Sequence, residues 1–139
     1  MDHINEMLGA HPAVRGPAGL RTVADGLRAL NDCATACASC ADACVAEPDV
    51  TPLRAAIRLN LDCAAICVAT ADVLARRNAP DFEVLRALLH ACVVASAACA
   101  AECERHAPSV MHCRICAAAC RTCEAACRRI LAELPTPAM

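Results

Sequence analysis

Four long segments of the chain carry apolar residues at a helical spacing of three and four, and a proline follows each segment closely. The helices expected from this pattern cover about residues 19–47, 51–78, 81–106 and 109–134. Thr51, Asp81 and Ser109 are suitable N-caps for the last three of them. Since the intervening turns are short, consecutive helices must run antiparallel. The pattern predicts an all-α, up-down-up-down antiparallel four-helix bundle over residues 19–135, preceded by an N-terminal segment, residues 1–18, with a short helix.

The inner face of every predicted helix is rich in cysteine. The 14 cysteines are Cys33, Cys37, Cys40 and Cys44 on the first helix, Cys63 and Cys67 on the second, Cys92, Cys99 and Cys103 on the third, and Cys113, Cys116, Cys120, Cys123 and Cys127 on the fourth. At about 100° per residue, the cysteines of each helix fall within an arc of about 80° or less. Each helix therefore carries one cysteine stripe, and the four stripes should meet along the axis of the bundle as a thiol-lined tube.

An internal repeat supports this arrangement. The cysteine spacing of the first helix recurs 59 residues later, with Ser96 at the position of Cys37. The fourth helix matches the second at a distance of 60 residues, and Asn60 then stands at the position of Cys120. The chain thus resembles two copies of one helical hairpin. Asn60 is expected to line the tube, and Ser96 to interrupt it without binding.

Composition and charge narrow the function further. The chain has no Trp or Tyr, a single Phe and a net charge of -2, which argues against a nucleic-acid or anionic-membrane partner. The longest stretch without charged residues, Ala87 to Ala101, is shorter than the roughly 20 residues of a membrane-spanning helix. The first residues lack the basic and apolar regions of a secretory signal, so we expect a cytoplasmic protein. In a reducing compartment, abundant cysteine indicates metal binding or redox chemistry before disulfides.

Facing thiols at this spacing favour a soft metal ion. Thiolates select Cu(I) over harder ions, and a thiolate can bridge two ions, so about one Cu(I) per cysteine, on the order of 14 per chain, could be held. One monovalent cation per thiolate also cancels the buried charge, whereas Zn(II) at four sulfurs leaves two negative charges per site. Sequestration of Zn(II) or another soft metal, or a thiol redox protein, remains an alternative. The sequence contains no recognisable catalytic constellation, and we expect no enzyme activity.

The two ends of the predicted tube differ. At the end near the first and third turns between helices, His106 and His112 flank the stripes, which predicts that metal enters there. Met111, beside His112, and Asn60, inside the tube, are weaker candidate ligands. His90 should lie on the surface. The opposite end is expected to be closed by leucines, namely Leu30, Leu74, Leu85, Leu88, Leu131 and Leu134.

A second soft-ligand set lies outside the bundle. His3, Met7 and His11 follow one another at intervals of four residues in the N-terminal segment. Such spacing places side chains on one face if the helix continues through all three.

Taken together on four helices, the cysteine stripes resemble those of the bacterial copper storage proteins, over about residues 20–134. The resemblance implies a homotetramer of four-helix bundles that holds many Cu(I) ions in thiolate-lined cores. It also implies membership of the cytosolic branch, and a role in metal uptake for the histidines at the open end, His106 and His112.

Overall fold

The computed structural model describes residues 3–14 and 19–135. Its helices are α1 (His3–Ala10), α2 (Leu20–Val45), α3 (Arg54–Ala75), α4 (Phe82–His106) and α5 (Met111–Glu133), and a 3-10 turn, Thr51–Leu53, leads into α3. Within the described residues every regular element is helical, which confirms the all-α prediction.

The start of α4 follows the expected capping chemistry. The Asp81 carboxylate accepts hydrogen bonds from the backbone N–H groups of Glu83 and Val84, at 3.0 and 3.1 Å. These are two of the donors that the first turn of a helix leaves without a backbone partner.

Three other helix boundaries differ from the prediction. Thr51 lies in the 3-10 turn rather than at an N-cap, and α3 ends at Ala75, where Arg76 turns to an extended conformation with ψ 107°. Ser109 is not the N-cap of α5, because the backbone N–H groups of both Ser109 and Val110 bond to the carbonyl of His106, at 3.1 and 2.9 Å. Ser109 and Val110, which were expected to begin the next helix, therefore belong to the turn after α4.

The four long helices close a ring of contacts. The helix α2 packs against α3 and α5, and α4 packs against the same two helices, while α1 lies on α2. Each long helix turns its cysteine stripe towards the interior, where all the cysteine side chains are buried. The thiols therefore form the centre of the packed core rather than a separate surface site.

Leucines close one end of the core, with one correction to the expected set. Leu30, Leu74 and Leu85 are almost completely buried, but so is Leu89, whereas Leu88 is only partly covered. Leu89 lies four residues after Leu85 and three before Cys92, and so continues the stripe of α4, while Leu88 lies at its border.

Ile130 completes this closure from α5. It is buried, unlike the predicted Leu131 and Leu134, which are partly covered. A Cβ atom on Gly26 of α2 would clash with Cδ1 of Ile130 and lie 3.5 Å from Cδ2 of Leu74. Gly26 thus allows α2 and α5 to approach each other closely, just beyond the last thiols.

Among the described helices, α4 has the length and hydropathy of a membrane-spanning segment. Its apolar character has another cause, since its inner face carries buried leucines and cysteines, while alanine and valine fill much of its outer face. We therefore interpret α4 as a core helix of the bundle.

Candidate metal centre

All 14 predicted cysteine ligands lie in the core as free thiols. Their exposed fractions are 0% for Cys33, Cys37, Cys44, Cys63, Cys67, Cys92, Cys99, Cys103, Cys113, Cys120, Cys123 and Cys127, 1% for Cys116 and 2% for Cys40. The stripes predicted from the sequence therefore all face the same interior.

We call the half of the core near the start of α5 the outer half, and the half next to the leucines the inner half. The outer half contains closely spaced sulfurs from α2 and α5. The Sγ atoms of Cys40 and Cys113 are 3.9 Å apart, and Cys37 lies 3.8 Å from Cys116 and 3.6 Å from Cys120. The thiols of Cys40 and Cys116 also belong to one group whose ligand atoms all lie within 4.8 Å of one another. The sulfur contacts therefore continue from Cys113, near the start of α5, into the centre of the core.

The inner half continues this path through α3. Cys33 lies 3.8 Å from Cys63, and Cys63 lies 3.9 Å from Cys67. Cys67 in turn is 3.7 Å from Cys92 and 3.8 Å from Cys123. We call the whole set of 14 thiols the sulfur ladder.

Neighbouring groups of the ladder share members. Cys33, Cys37, Cys63 and Cys120 form one four-thiol group with all sulfurs within 4.8 Å of one another, and Cys37, Cys99, Cys116 and Cys120 form another. Cys37 and Cys120 belong to both, so one thiolate could bridge metal ions held by adjacent groups.

Burial keeps the outer thiols protonated. Removal from water raises the pKa of Cys44, and it raises the pKa of Cys113 to about 12. Deeper in the ladder, hydrogen bonds from neighbouring thiols, Cys103 first, lower the pKa of Cys116. Hydrogen bonding among the thiols thus favours ionisation at Cys116, but complete deprotonation of the ladder requires cations to replace the protons.

Asn60 lies among the sulfurs, as its place in the repeat predicts. Its Oδ1 atom accepts hydrogen bonds from the thiols of Cys99 and Cys116, at 2.9 and 3.1 Å. Its Nδ2 atom is buried and finds no hydrogen-bond partner in the described part of the chain. The side chain therefore presents a carbonyl oxygen to the ladder.

Ser96 occupies the remaining stripe position of α4. Its Oγ atom lies 3.7 Å from the sulfur of Cys63 and 3.9 Å from that of Cys92. The ladder passes this point through the contact between Cys63 and Cys67. The serine thus replaces one thiol without separating the sulfurs on either side of it.

His112 connects the outer end of the ladder to the surface. Its Nδ1 atom lies 3.3 Å from the sulfur of Cys40 and 3.9 Å from that of Cys113. Its Nε2 atom lies 2.9 Å from Oε1 of Glu47. Because a carboxylate can only accept, Nε2 carries a proton, and in the neutral ring the lone pair of Nδ1 then faces the thiols.

Glu47 was not among the residues predicted from the sequence. It lies just beyond the end of α2. The sequence indicated only that the turn after α2 lies at the same end of the molecule as His112. The contact joins two residues that are 65 positions apart.

His106 and Met111 lie near the same end. The Nε2 atom of His106 is 2.8 Å from Glu102, one turn earlier in α4, and both side chains are largely buried. The Met111 side chain is 61% exposed. His106 is therefore oriented by its own helix, whereas Met111 faces the solvent.

The remaining histidines do not extend the ladder. His90 is exposed on α4, as predicted. His3 pairs with Glu6 at 3.4 Å, and α1 ends before His11, whose Nδ1 atom accepts a hydrogen bond from the backbone of Ala13 at 3.0 Å. The helix therefore does not continue through His11, although His3, Met7 and His11 line one cavity.

A helical core built from free thiols, with shared four-sulfur groups and an imidazole at one end, is typical of a protein that binds several soft metal ions. Residues 21–132 match the sequence profile of the copper storage protein family, Csp. The chain belongs to this family, which confirms the resemblance and the prediction of copper storage.

Solved structures of a Streptomyces lividans protein agree with this assignment. The copper storage protein Ccsp loaded with 10 copper equivalents is 46% identical, with a TM-score of 0.91, over 94% of this chain and 99% of that one. A structure of copper loading to the cytosolic copper storage protein, with five coppers, is 49% identical, with a TM-score of 0.81, over 83% and 96% of the two chains. A Ccsp variant with two histidines changed to alanine is 48% identical, with a TM-score of 0.80, over 82% and 96%. No curated protein sequence matches the chain significantly.

Proposed function

We propose that this protein stores and sequesters copper in the cytoplasm as Cu(I), with about one ion per thiolate, on the order of 14 per chain. The observation that carries the proposal is the continuous path of sulfur contacts in the core. The related Streptomyces protein has been loaded with five and with 10 copper equivalents and is cytosolic, which supports both the metal and the compartment.

The proposed ligands are the thiolates of the sulfur ladder, together with side chains at its outer end. They are Cys33, Cys37, Cys40, Cys44, Cys63, Cys67, Cys92, Cys99, Cys103, Cys113, Cys116, Cys120, Cys123 and Cys127, with His106 and His112 for metal uptake, and Asn60 and Met111 as weaker ligands. The Oδ1 atom of Asn60 supports its inclusion, because it already contacts two thiols. His112 contacts the thiols of Cys40 and Cys113, and His106 ends α4 near the start of α5, which supports uptake at that end.

The charge balance favours this assignment over its alternatives. Each Cu(I) replaces one thiol proton, so a filled ladder of bridging thiolates gains no net charge in the core. A thiol redox protein instead needs an exposed cysteine of low pKa. The cysteines of this chain are buried, and we propose storage rather than an enzyme activity.

For the architecture, we infer that α2, α3, α4 and α5 form an up-down-up-down antiparallel four-helix bundle. The contacts between consecutive helices, and between the first and last of them, support this arrangement. The proposed division is an N-terminal segment, residues 1–18, and the bundle, residues 19–135.

The outer face of α3 and α4 supports the proposed homotetramer. Leu61 and Val68 of α3 expose 53% and 59% of their surface, and Val94 of α4 exposes 69%. Val94 also lines a groove between the two helices, together with Leu59, Ile66, three alanines and the polar residues Asp62 and His90. An apolar surface of this kind is typical of an interface between subunits.

The test is an anaerobic titration of the reduced protein with Cu(I) against a chromophoric chelator. Retention of roughly 10 or more ions per chain is expected if thiolates bridge. Retention of about four or fewer, the number that isolated four-sulfur sites could supply, would contradict storage.

A further inference from the structure

Four side chains at the outer end of the ladder form a set of a different composition from the rest. The ligand atoms of Cys40, Cys44, His112 and Cys113 all lie within 4.8 Å of one another. We call this set the mouth tetrad. It combines three thiols with one imidazole, whereas the two four-residue groups described above consist of thiols alone.

The spacing within the mouth tetrad suits a tetrahedral ion. Zinc binds thiolate at about 2.3 Å and imidazole at about 2.0–2.1 Å, so the edges of its tetrahedron are about 3.8 Å between sulfurs and about 3.6 Å between sulfur and nitrogen. The sulfurs of Cys40 and Cys113 are 3.9 Å apart, and Nδ1 of His112 lies 3.3 and 3.9 Å from them. A zinc ion could therefore enter with small shifts of the side chains.

The contact between His112 and Glu47 adds a second, independent feature of a zinc site. The 2.9 Å hydrogen bond from Nε2 leaves the proton on the outer nitrogen and directs the lone pair of Nδ1 to the centre of the tetrad. A carboxylate that orients a histidine ligand in this way is a common outer partner in zinc proteins.

Charge distinguishes this position from the deeper ones. Zinc held by three thiolates and a neutral imidazole leaves one negative charge, next to a histidine that is partly exposed to water. Zinc held by Cys33, Cys37, Cys63 and Cys120 would leave two negative charges among fully buried residues. The cost of burying charge therefore favours the outer position.

We propose that the mouth tetrad, whose four residues are also proposed copper ligands, binds one Zn²⁺ ion per chain in the copper-free protein. On binding, the thiols of Cys40, Cys44 and Cys113 release three protons to solvent, and His112 keeps its proton on Nε2. The ion would occupy the outermost ligands of the ladder. If the proposed function is correct, zinc-loaded protein takes up copper more slowly than the apoprotein.

The experiment is an anaerobic titration of the reduced, full-length apoprotein with Zn²⁺ against a chromophoric chelator, with Co²⁺ as a spectroscopic probe of geometry. We expect one tight equivalent, and absorption bands of tetrahedral cobalt with thiolate ligands. His112→Ala should abolish that equivalent, whereas Cys67→Ser, a change at the inner end of the ladder, should leave it intact.

A second variant tests the site without removing a ligand. Glu47→Ala should weaken zinc binding about 10- to 100-fold, the usual effect of losing such an outer partner. Glu104→Ala is the charge-matched control, because Glu104 pairs with Arg121 on the surface, at 2.8 Å, and should leave zinc affinity unchanged. Circular dichroism of each variant checks that the helices are retained.

The outcomes separate this inference from the proposed function. Absence of a tight zinc equivalent, or a zinc site that survives His112→Ala and is lost with Cys67→Ser, would overturn the inference. The copper capacity of the same samples is measured in parallel. Normal copper capacity without zinc binding would overturn the zinc site alone, whereas low copper capacity with one bound zinc would overturn storage alone.

Discussion

The Nδ1 atom of His112 lies 3.3 Å from the sulfur of Cys40, at the outer end of the thiol core. The ring is partly exposed, while the thiol is buried. The pair therefore joins a solvent-accessible soft ligand directly to the first buried thiols, so an ion bound by the imidazole need move only a few ångströms to reach sulfur.

This relationship predicts that His112 affects the rate of copper loading more than its extent. We expect His112→Ala to slow Cu(I) loading about tenfold, equivalent to ~1.4 kcal/mol in the barrier. His106→Ala should slow it too, and the double variant most, with the capacity nearly unchanged. Stopped-flow absorbance measures the rate. His90→Ala, at an exposed histidine of α4, is the control. Equal rates for the wild type, both single variants and the double variant would contradict uptake at this end.

Ser96 offers a test of capacity. Its Oγ atom already contacts the sulfurs of Cys63 and Cys92, so Ser96→Cys should add a fifteenth thiol to the ladder. We expect about one more Cu(I) retained per chain, since bridging thiolates bind about one ion each. Ala101→Cys adds a thiol to the exposed face of the same helix and should add no retained ion against the chelator. An identical capacity for wild type and Ser96→Cys would argue against one ion per thiolate.

The contact between Gly26 and Ile130 predicts that the effect of Gly26→Ala on stability changes sign when Ile130 is replaced by a smaller residue. Gly26→Ala should destabilise the apoprotein by about 1 kcal/mol, because the steric cost of displacing Ile130 exceeds the gain in helix propensity. In an Ile130→Val background, which lacks the clashing Cδ1 atom, the same change should stabilise by about 0.5 kcal/mol. Chemical denaturation of the wild type, both single variants and the double variant gives the coupling free energy between the two positions. Equal effects in both backgrounds would show that this contact does not limit the approach of α2 and α5.

The thiols also predict how stability depends on pH. Burial raises the pKa of Cys113 from 9.0 to about 12, and raises that of Cys44. These thiols ionise more readily in the unfolded protein. Their contribution to folding stability is therefore complete below pH 9.0 and is lost as the pH rises towards about 12. All 13 Lys and Arg positions are arginine and the chain has no Tyr, so cysteine is the only side chain expected to titrate in this interval.

Denaturation of the reduced apoprotein at a series of pH values, with thiolate absorbance recorded in parallel, tests this. We expect a loss of stability that follows thiolate formation, and a smaller loss in Cys113→Ala. Stability that stays constant up to about pH 12 would contradict raised pKa values at the outer thiols.

Much of the fold and the thiol core could be predicted from local spacing. Cysteines three and four residues apart share one helix face, whatever the rest of the chain does, and an apolar face of a helix must be buried. The same reasoning was less successful at the helix ends. Ser109 has the chemistry of an N-cap, but the turn from His106 continues through it.

Tertiary structure decided which atoms meet. The sequence by itself determined the all-helical fold, the inward-facing cysteines and the positions of Asn60 and Ser96 in the repeat. It did not predict that Glu47 would hold His112 against Cys40. Helix periodicity sets the direction of a side chain around its own axis, whereas contacts between helices depend on their relative rotation and translation, which only the packing of the whole core determines.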